Sequence, residues 1–292
     1  MNGTGGLKAA FKAMIGWNRL SEARKAAGWR RYYVWLYRRN VAIATLVCLL
    51  PLSLSYVLRK SGSDKHQING HRYGHLYSRY LTRLKYRRIR LLEIGIGGYG
   101  FALGGQSLNA WQAYFPFARI TGCDLEDKRG LATPGTRIRQ VDQSSAADLA
   151  LLARQDGPFD VIIDDGSHLS RHQIFTFLTL FDALVDGGVY VVEDVMSSYW
   201  TFGGWDGVHI DDPAFARTCV GWFADLARYV NFDEFESDRG IDPDKLRVAR
   251  QIGHISFEKN LIAVQKSLAP RGEVAITRLR PAALARSAGT AA

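Results

Sequence analysis

Two acidic segments carry the chemistry that this sequence can do. Asp164-Asp165-Gly166-Ser167-His168 and Glu193-Asp194 close two short apolar runs, Phe159–Ile163 and Val189–Val192. Such runs read as strands, and the ends of neighbouring parallel strands lie about 5 Å apart. Asp165, Glu193 and Asp194 are therefore expected to converge. Three clustered carboxylates repel one another unless a cation neutralises them. An oxygen-only donor set suits Mg2+, Mn2+ or Ca2+ better than zinc. His168 follows Asp165 across a glycine turn and is expected to face the same cavity. A divalent cation beside a hydroxyl makes that hydroxyl more acidic, and a neighbouring imidazole can take its proton as a general base. Singly, each residue has a plainer reading: an aspartate as a helix cap, an acidic pair matched to arginines, a loop histidine that only packs. Their joint placement at two strand ends is what favours chemistry.

Upstream, Ile89–Ile94 leads into Gly95-Ile96-Gly97-Gly98-Tyr99-Gly100, a literal match to the Gly-x-Gly-x-x-Gly fingerprint of nucleotide sites. The plain alternative is a tight strand-to-helix turn. In a dinucleotide site the helix opens at the second glycine, so that its N-terminus faces the pyrophosphate. Here Tyr99 to Gln106 intervene before a helix starts at Ser107. Glu93 lies inside the strand, and Asp124 ends the next one, placed to accept from two ribose hydroxyls. Two acids around a glycine loop suit a cationic nucleoside, and S-adenosylmethionine carries both an ammonium and a sulfonium. It is favoured over a nicotinamide cofactor.

The elements that must position these residues alternate from Ile89 onward. Strands are expected at 89–94, 119–124, 137–141, 159–164 and 189–194, with helices at 107–115, 146–154 and 174–184, the last stopped by Asp186-Gly187-Gly188. A helix at 213–230 precedes two late strands, 252–257 and 261–265, joined as a hairpin by Glu258-Lys259-Asn260. Near-continuous apolar strands alternating with helices imply a mostly parallel sheet covered on both faces, with ligands at the carboxyl ends of its strands. Ahead of it, 71–84 reads as a helix striped by Tyr73, Leu76, Tyr80 and Leu84.

The bulk properties set limits. The 292 residues are 47% hydrophobic and 23% charged, an ordinary globular composition able to build a sizeable core. Cys48, Cys123 and Cys219 have no pairing pattern, which argues for a reducing compartment and against a cysteine zinc site. The net charge of +10 is concentrated before Arg90, on residues such as Arg30, Arg31, Arg38, Arg39, Arg59 and Lys60. A solvated basic helix face is the favoured account, ahead of lipid or an acidic substrate, and no nucleic-acid motif is present. Residues 1 to about 40 are basic and aromatic (Trp17, Trp29, Tyr32, Tyr33, Trp35, Tyr37). The uncharged run Val41–Leu58 is at the lower limit for a membrane span and is weakened by Pro51, Ser53 and Ser55; a buried, dimer-forming or membrane-surface helix is the favoured reading.

Several ordered motifs resemble the macrolide and rhamnosyl sugar O-methyltransferases, a group including the mycinamicin and tylosin deoxysugar enzymes and similar to the methyltransferases of mycobacterial methylmannose polysaccharides. They are Leu92-Glu93-Ile94-Gly95-Ile96-Gly97-Gly98-Tyr99, Gly104-Gly105-Gln106-Ser107-Leu108, Asp142-Gln143-Ser144, Ile162 to His168, Val191-Val192-Glu193-Asp194 with Ser198-Tyr199-Trp200, and the segment Gly62-Ser63-Asp64-Lys65. The resemblance covers about residues 60 to 266. It implies a magnesium (or manganese) site at Asp165, Glu193 and Asp194, with His168 as the base. It implies S-adenosylmethionine contacts from Glu93, Gly95, Gly97, Ser107, Asp124, Asp142, Gln143 and Asp164. It also implies an oligomer.

The resulting expectation is an α/β Rossmann-like class I methyltransferase domain over 60–268 with a mostly parallel seven-stranded sheet. A helical extension over 1–59 and a structureless tail over 269–292 flank it. The expected reaction is methyl transfer to a hydroxyl of a glycosylated natural product or oligosaccharide. The expected setting is the cytoplasm, with a homo-oligomer and peripheral membrane contact through 1–59. Arg72, Tyr73, His75, Tyr199, Trp200, Trp205 and His209 are candidate acceptor contacts. The rivals are a nicotinamide-dependent sugar oxidoreductase and a non-catalytic, membrane-associated scaffold of the same fold.

Overall fold

The computed structural model describes residues 22–66, 70–98, 104–235 and 239–269. Trp17, the Tyr99-Gly100 end of the glycine fingerprint and the tail from Pro270 lie outside the described residues. The chain divides into two compact units between Asp142 and Gln143.

The first unit opens with helix α1 (Glu22–Val47), which is free of proline and rich in alanine and arginine. It stops ahead of Pro51, so the apolar run Val41–Leu58 is not one helix. Its second half belongs to α2 (Leu54–Ser61), started by the Ser53 side chain accepting from Tyr56 N and ended by Gly62 in the left-handed conformation. No helix among the described residues is long and apolar enough to cross a membrane. Helix α3 (Gly74–Leu81) falls inside the striped segment and buries Leu76, Tyr77 and Leu81. Then follow β1 (Arg90–Ile94), α4 (Gln106–Tyr114), β2 (Arg119–Asp124) and β3 (Thr136–Gln140). Helices α1 and α2 both pack on α4.

The second unit contains α5 (Ala146–Asp156), β4 (Phe159–Asp164), α6 (Ser170–Leu180), β5 (Leu184–Glu193), α7 (Cys219–Arg228), α8 (Pro243–Ala249), β6 (Ile252–Glu258) and β7 (Leu261–Lys266). Phe177 centres its core, with Phe181, Tyr190, Trp222 and Phe223 around it at ring separations of 4.8 to 5.9 Å. Burying each such ring contributes about 1.5–3 kcal/mol.

The strands belong to one seven-stranded sheet, to which the first unit contributes the run β3-β2-β1 and the second the run β4-β5-β7-β6. Pairing is parallel in β1–β2, β2–β3 and β4–β5, and antiparallel in β5–β7 and β6–β7. The closing hairpin expected from the sequence is therefore present. Asp164 pairs with Val192, so Asp165 and Glu193-Asp194 leave the sheet side by side.

Candidate functional site

In the first unit the glycine loop leaves β1 with positive φ at Gly95, Gly97 and Gly98 and re-enters α4 with positive φ at Gly104 and Gly105. Gly105 N donates to Ile96 O at 2.7 Å, and a Cβ on Gly104 would collide with the carbonyls of Ile96 and Gly97. The loop closes on itself so tightly that only glycine fits there. Around Gly97, by contrast, a Cβ would meet nothing within 4 Å. Space for a ligand is open on that side.

Glu93 is fully buried. Its Oε2 accepts from Ser107 Oγ at 2.8 Å and Trp111 Nε1 at 3.1 Å, and its Oε1 lies 3.3 Å from the equally buried Lys65 Nζ. In the sequence Lys65 carries only a motif resemblance; the structure makes it the counter-charge of Glu93. Asp124 sits at the end of β2 beside the same loop. Its Oδ2 accepts from Ile96 N at 3.2 Å and Lys128 Nζ at 2.8 Å, and its Oδ1 from Glu126 N at 3.0 Å. Lys128 also donates to Gly97 O. Nothing in the sequence pointed to Lys128, one lysine in a charged stretch. Asp142 is exposed at the end of this unit.

In the second unit Gln143 Nε2 donates to Asp164 Oδ1 at 2.7 Å, and Gln143 Oε1 accepts from Ser167 N at 2.9 Å. Gly166 N and Tyr190 Oη also donate to Asp164. Burial pushes the Asp164 carboxyl up to about 7; the hydrogen bonds from Gly166 and Gln143 act against that rise. Asp164 and Gln143 thus pin the turn that carries Asp165 and His168.

Asp165, His168 and Asp194 each place a ligand atom within 4.8 Å of the others, the group among the described residues able to hold a metal ion. His168 Nε2 stands 3.8 Å from Asp194 Oδ2. Both residues adopt the left-handed conformation, His168 with φ 56° and Asp194 with φ 54°. For residues with a Cβ that conformation costs energy and persists only where neighbours enforce it. Here Ser197 Oγ donates to His168 O at 2.6 Å, and Gln173 Nε2 donates to Glu193 O at 2.9 Å. Two carboxylates and an imidazole, partly buried, form a donor set that a divalent cation fits. Glu193 stands outside this group: it is the last residue of β5, with a buried side chain.

Of the candidate acceptor contacts, the structure brings Trp205 and Trp200 to the cluster. The Trp205 ring lies 6.3 Å from the His168 ring, and Trp200 meets Trp205 edge-on at 5.3 Å. Tyr199 is half exposed against Phe215. His209 is exposed beside Asp211. In the first unit Tyr73 is buried and stacked on His71, while Arg72 and His75 are exposed. Asp206 was missed. It accepts from Ser170 N at 2.7 Å and Arg171 N at 3.0 Å, fastening the segment that carries Trp205 to the start of α6.

The fold and these motifs define a class I methyltransferase domain, and residues 92–195 match the family described as a methyltransferase domain. Within that class the chain is similar to O-methyltransferases of macrolide and tetracenomycin sugars. It is 38% identical over 224 residues to the 8-demethyl-8-alpha-L-rhamnosyl tetracenomycin-C 2'-O-methyltransferase of Streptomyces olivaceus, a match spanning 76% of this chain and 57% of that protein. It is 35% identical to the mycinamicin VI 2''-O-methyltransferase of Micromonospora griseorubida, over 68% of this chain and 49% of that one. The chain thus spans about half the length of these relatives. Among solved structures it matches the MycE methyltransferase of the mycinamycin biosynthetic pathway in complex with Mg and SAH, with a TM-score of 0.70 and 32% identity over 82% of this chain and 60% of that one. A second MycE structure, with mycinamycin VI also bound, matches with a TM-score of 0.66 and 33% identity over 74% of this chain and 54% of that one.

Proposed function

We propose that this protein is an S-adenosylmethionine-dependent, divalent-metal-assisted O-methyltransferase acting on a sugar hydroxyl of a glycosylated natural product or oligosaccharide. The observation that carries the reading is the convergence of Asp165, His168 and Asp194 behind an aromatic wall. When bound, the cofactor supplies an electrophilic methyl group and the Mg2+ or Mn2+ ion raises the acidity of the hydroxyl.

The chain's own residues do the rest. Asp165 and Asp194 hold the metal, with Glu193, the neighbour of Asp194 at the end of β5, as the third ligand that the family resemblance implies. His168 takes the hydroxyl proton, the oxygen forms its bond to the methyl carbon, and the carbon–sulfur bond breaks with its electron pair left on sulfur. Glu93, Gly95, Gly97, Ser107, Asp124 and Asp142 in the first unit, and Gln143 and Asp164 in the second, are the cofactor contacts that the family resemblance implies; Asp124 receives the ribose hydroxyls. Trp205 and Trp200 offer flat apolar faces to the ring C–H groups of a sugar and keep water from the reacting oxygen. A homo-oligomer and peripheral membrane contact through 1–59 belong to the same reading, supported by exposed Ile43, Leu46, Leu49 and Leu50 close in sequence to Arg38 and Arg39.

Calorimetric titration of the purified chain with S-adenosylmethionine and, separately, NAD tests the reading, followed by methyl transfer to a panel of rhamnosylated aglycones with and without Mg2+. Binding of S-adenosylmethionine and Mg2+-dependent product support it. Binding of NAD alone, or folded protein that binds neither, overturns it.

A further inference from the structure

Tyr37 lies on α1, well before the 92–195 stretch that matches the methyltransferase family. Its side chain is only 4% exposed. Its ring packs on the entrance to α4 so closely that a Cβ on Gly105 would fall 2.7 Å from Tyr37 Cε2. The phenol oxygen is sealed from solvent and meets no hydrogen-bond partner among the described residues. A buried hydroxyl left unpaired weakens the fold and is uncommon, so its persistence calls for a ligand or a role. Burial and, after it, the Glu93 charge both hold the phenol in its protonated form, so at working pH it is a hydrogen-bond donor.

The surroundings say what it would donate to. The glycine loop beside it offers backbone and open space around Gly97, and the Glu93 carboxylate is already furnished with Lys65, Ser107 and Trp111. A cofactor with an amino-acid end brings an α-carboxylate that takes several donors: the N–H groups of the glycine loop supply some, the Glu93 carboxylate supplies none, and the unpaired Tyr37 O–H is a further one. We propose that Tyr37 is a cofactor-binding residue whose O–H donates to the α-carboxylate of the amino-acid moiety, making α1 a wall of the cofactor site. This rests on the methyltransferase reading above.

The full-length Tyr37→Phe variant tests it by calorimetry with S-adenosylhomocysteine and with 5′-methylthioadenosine, which lacks the amino-acid end, together with thermal unfolding of the ligand-free protein. A lost hydrogen bond to a charged group predicts a Kd for S-adenosylhomocysteine raised roughly tenfold or more. The Kd for 5′-methylthioadenosine stays within about twofold of wild type, inside the scatter of a neutral site. The ligand-free Tm stays level or rises, because the variant deletes an unpaired buried oxygen. Equal affinity of wild type and variant for S-adenosylhomocysteine overturns the proposal, as does an equal loss for both ligands. Wild-type protein that binds neither ligand overturns the methyltransferase reading itself, a result distinct from either.

Discussion

Lys65 Nζ lies 3.3 Å from Glu93 Oε1, and neither side chain reaches solvent. The pair joins the segment after α2 to the end of strand β1, next to the glycine loop. Two charges taken from water are stable there only as partners, helped by the hydrogen bonds of Ser107 and Trp111.

Removing one partner strands the other. The Lys65→Met variant is expected to lose about 3–5 kcal/mol of unfolding free energy, since an uncompensated carboxylate remains buried. The double variant Lys65→Met/Glu93→Gln recovers part of that loss. Urea unfolding of the four proteins of this cycle measures it. A Lys65→Met protein as stable as wild type shows that the pair carries no such strain.

His168 sits within ligand distance of Asp165 and Asp194, so its role has to be separated from theirs. Asp165→Asn and Asp194→Asn are expected to weaken Mn2+ binding at least tenfold, by calorimetry, while S-adenosylhomocysteine binding is retained. His168→Ala as the base keeps Mn2+ affinity within a few-fold and lowers kcat by about 10²–10⁴. If His168→Ala instead loses Mn2+ as the aspartate variants do, the imidazole is a ligand and the base lies elsewhere.

Asp206 ties the segment bearing Trp205 to the N-terminus of α6, where its charge also meets the favourable end of the helix dipole. Asp206→Ala is expected to cost about 1–2 kcal/mol of stability, the usual loss for a helix cap. With Trp205 released from its position beside His168, KM for the acceptor rises several-fold while S-adenosylhomocysteine affinity is unchanged. Steady-state kinetics with a rhamnosylated acceptor reads the split, and an unaltered KM removes the aromatic wall from acceptor binding.

The sheet was readable because its inner strands are nearly unbroken apolar runs, and the acids at their ends marked the site. What escaped depends on partners remote in the chain. Helix α6 begins at Ser170, not Ile174, because Asp206 supplies its cap from 36 residues further on. Strand β5 begins at Leu184 and runs through Gly187-Gly188, expected as a stop, because β7 and its continuation cover them; Gly187 N donates to Ser267 O. The helix expected at 213–230 is shorter, since Thr218 is extended and caps α7 at its own side chain. Helix α8 did carry a legible signal: Asp242 caps it and Pro243 takes the first position, which favours proline. In the sequence Tyr37 is one aromatic among many. Its position on Gly105 is a tertiary fact that no local spacing encodes.

Lys245, in α8, donates to Asp225 Oδ2 in α7 at 2.6 Å, and Arg228 reaches Asp225 Oδ1 at 2.8 Å. The hydrogen bond from Lys245 is the main cause that holds the Asp225 carboxyl below its ordinary range. A carboxyl with a lowered folded-state pKa stabilises the fold above its unfolded value, near 3.9, and that contribution disappears as the pH falls through the lower folded-state value. With Asp225 partly exposed, the contribution at neutral pH is about 1 kcal/mol. Wild type is therefore expected to exceed Asp225→Asn in stability at pH 7 by that amount. The gap narrows as acid is added below about pH 5 and closes once Asp225 is protonated in the native state. Urea unfolding of both proteins between neutral and acid pH measures the gap; a gap that does not change with pH means that the α7–α8 contact rests on packing of the Lys245 stem against Trp222 and not on charge.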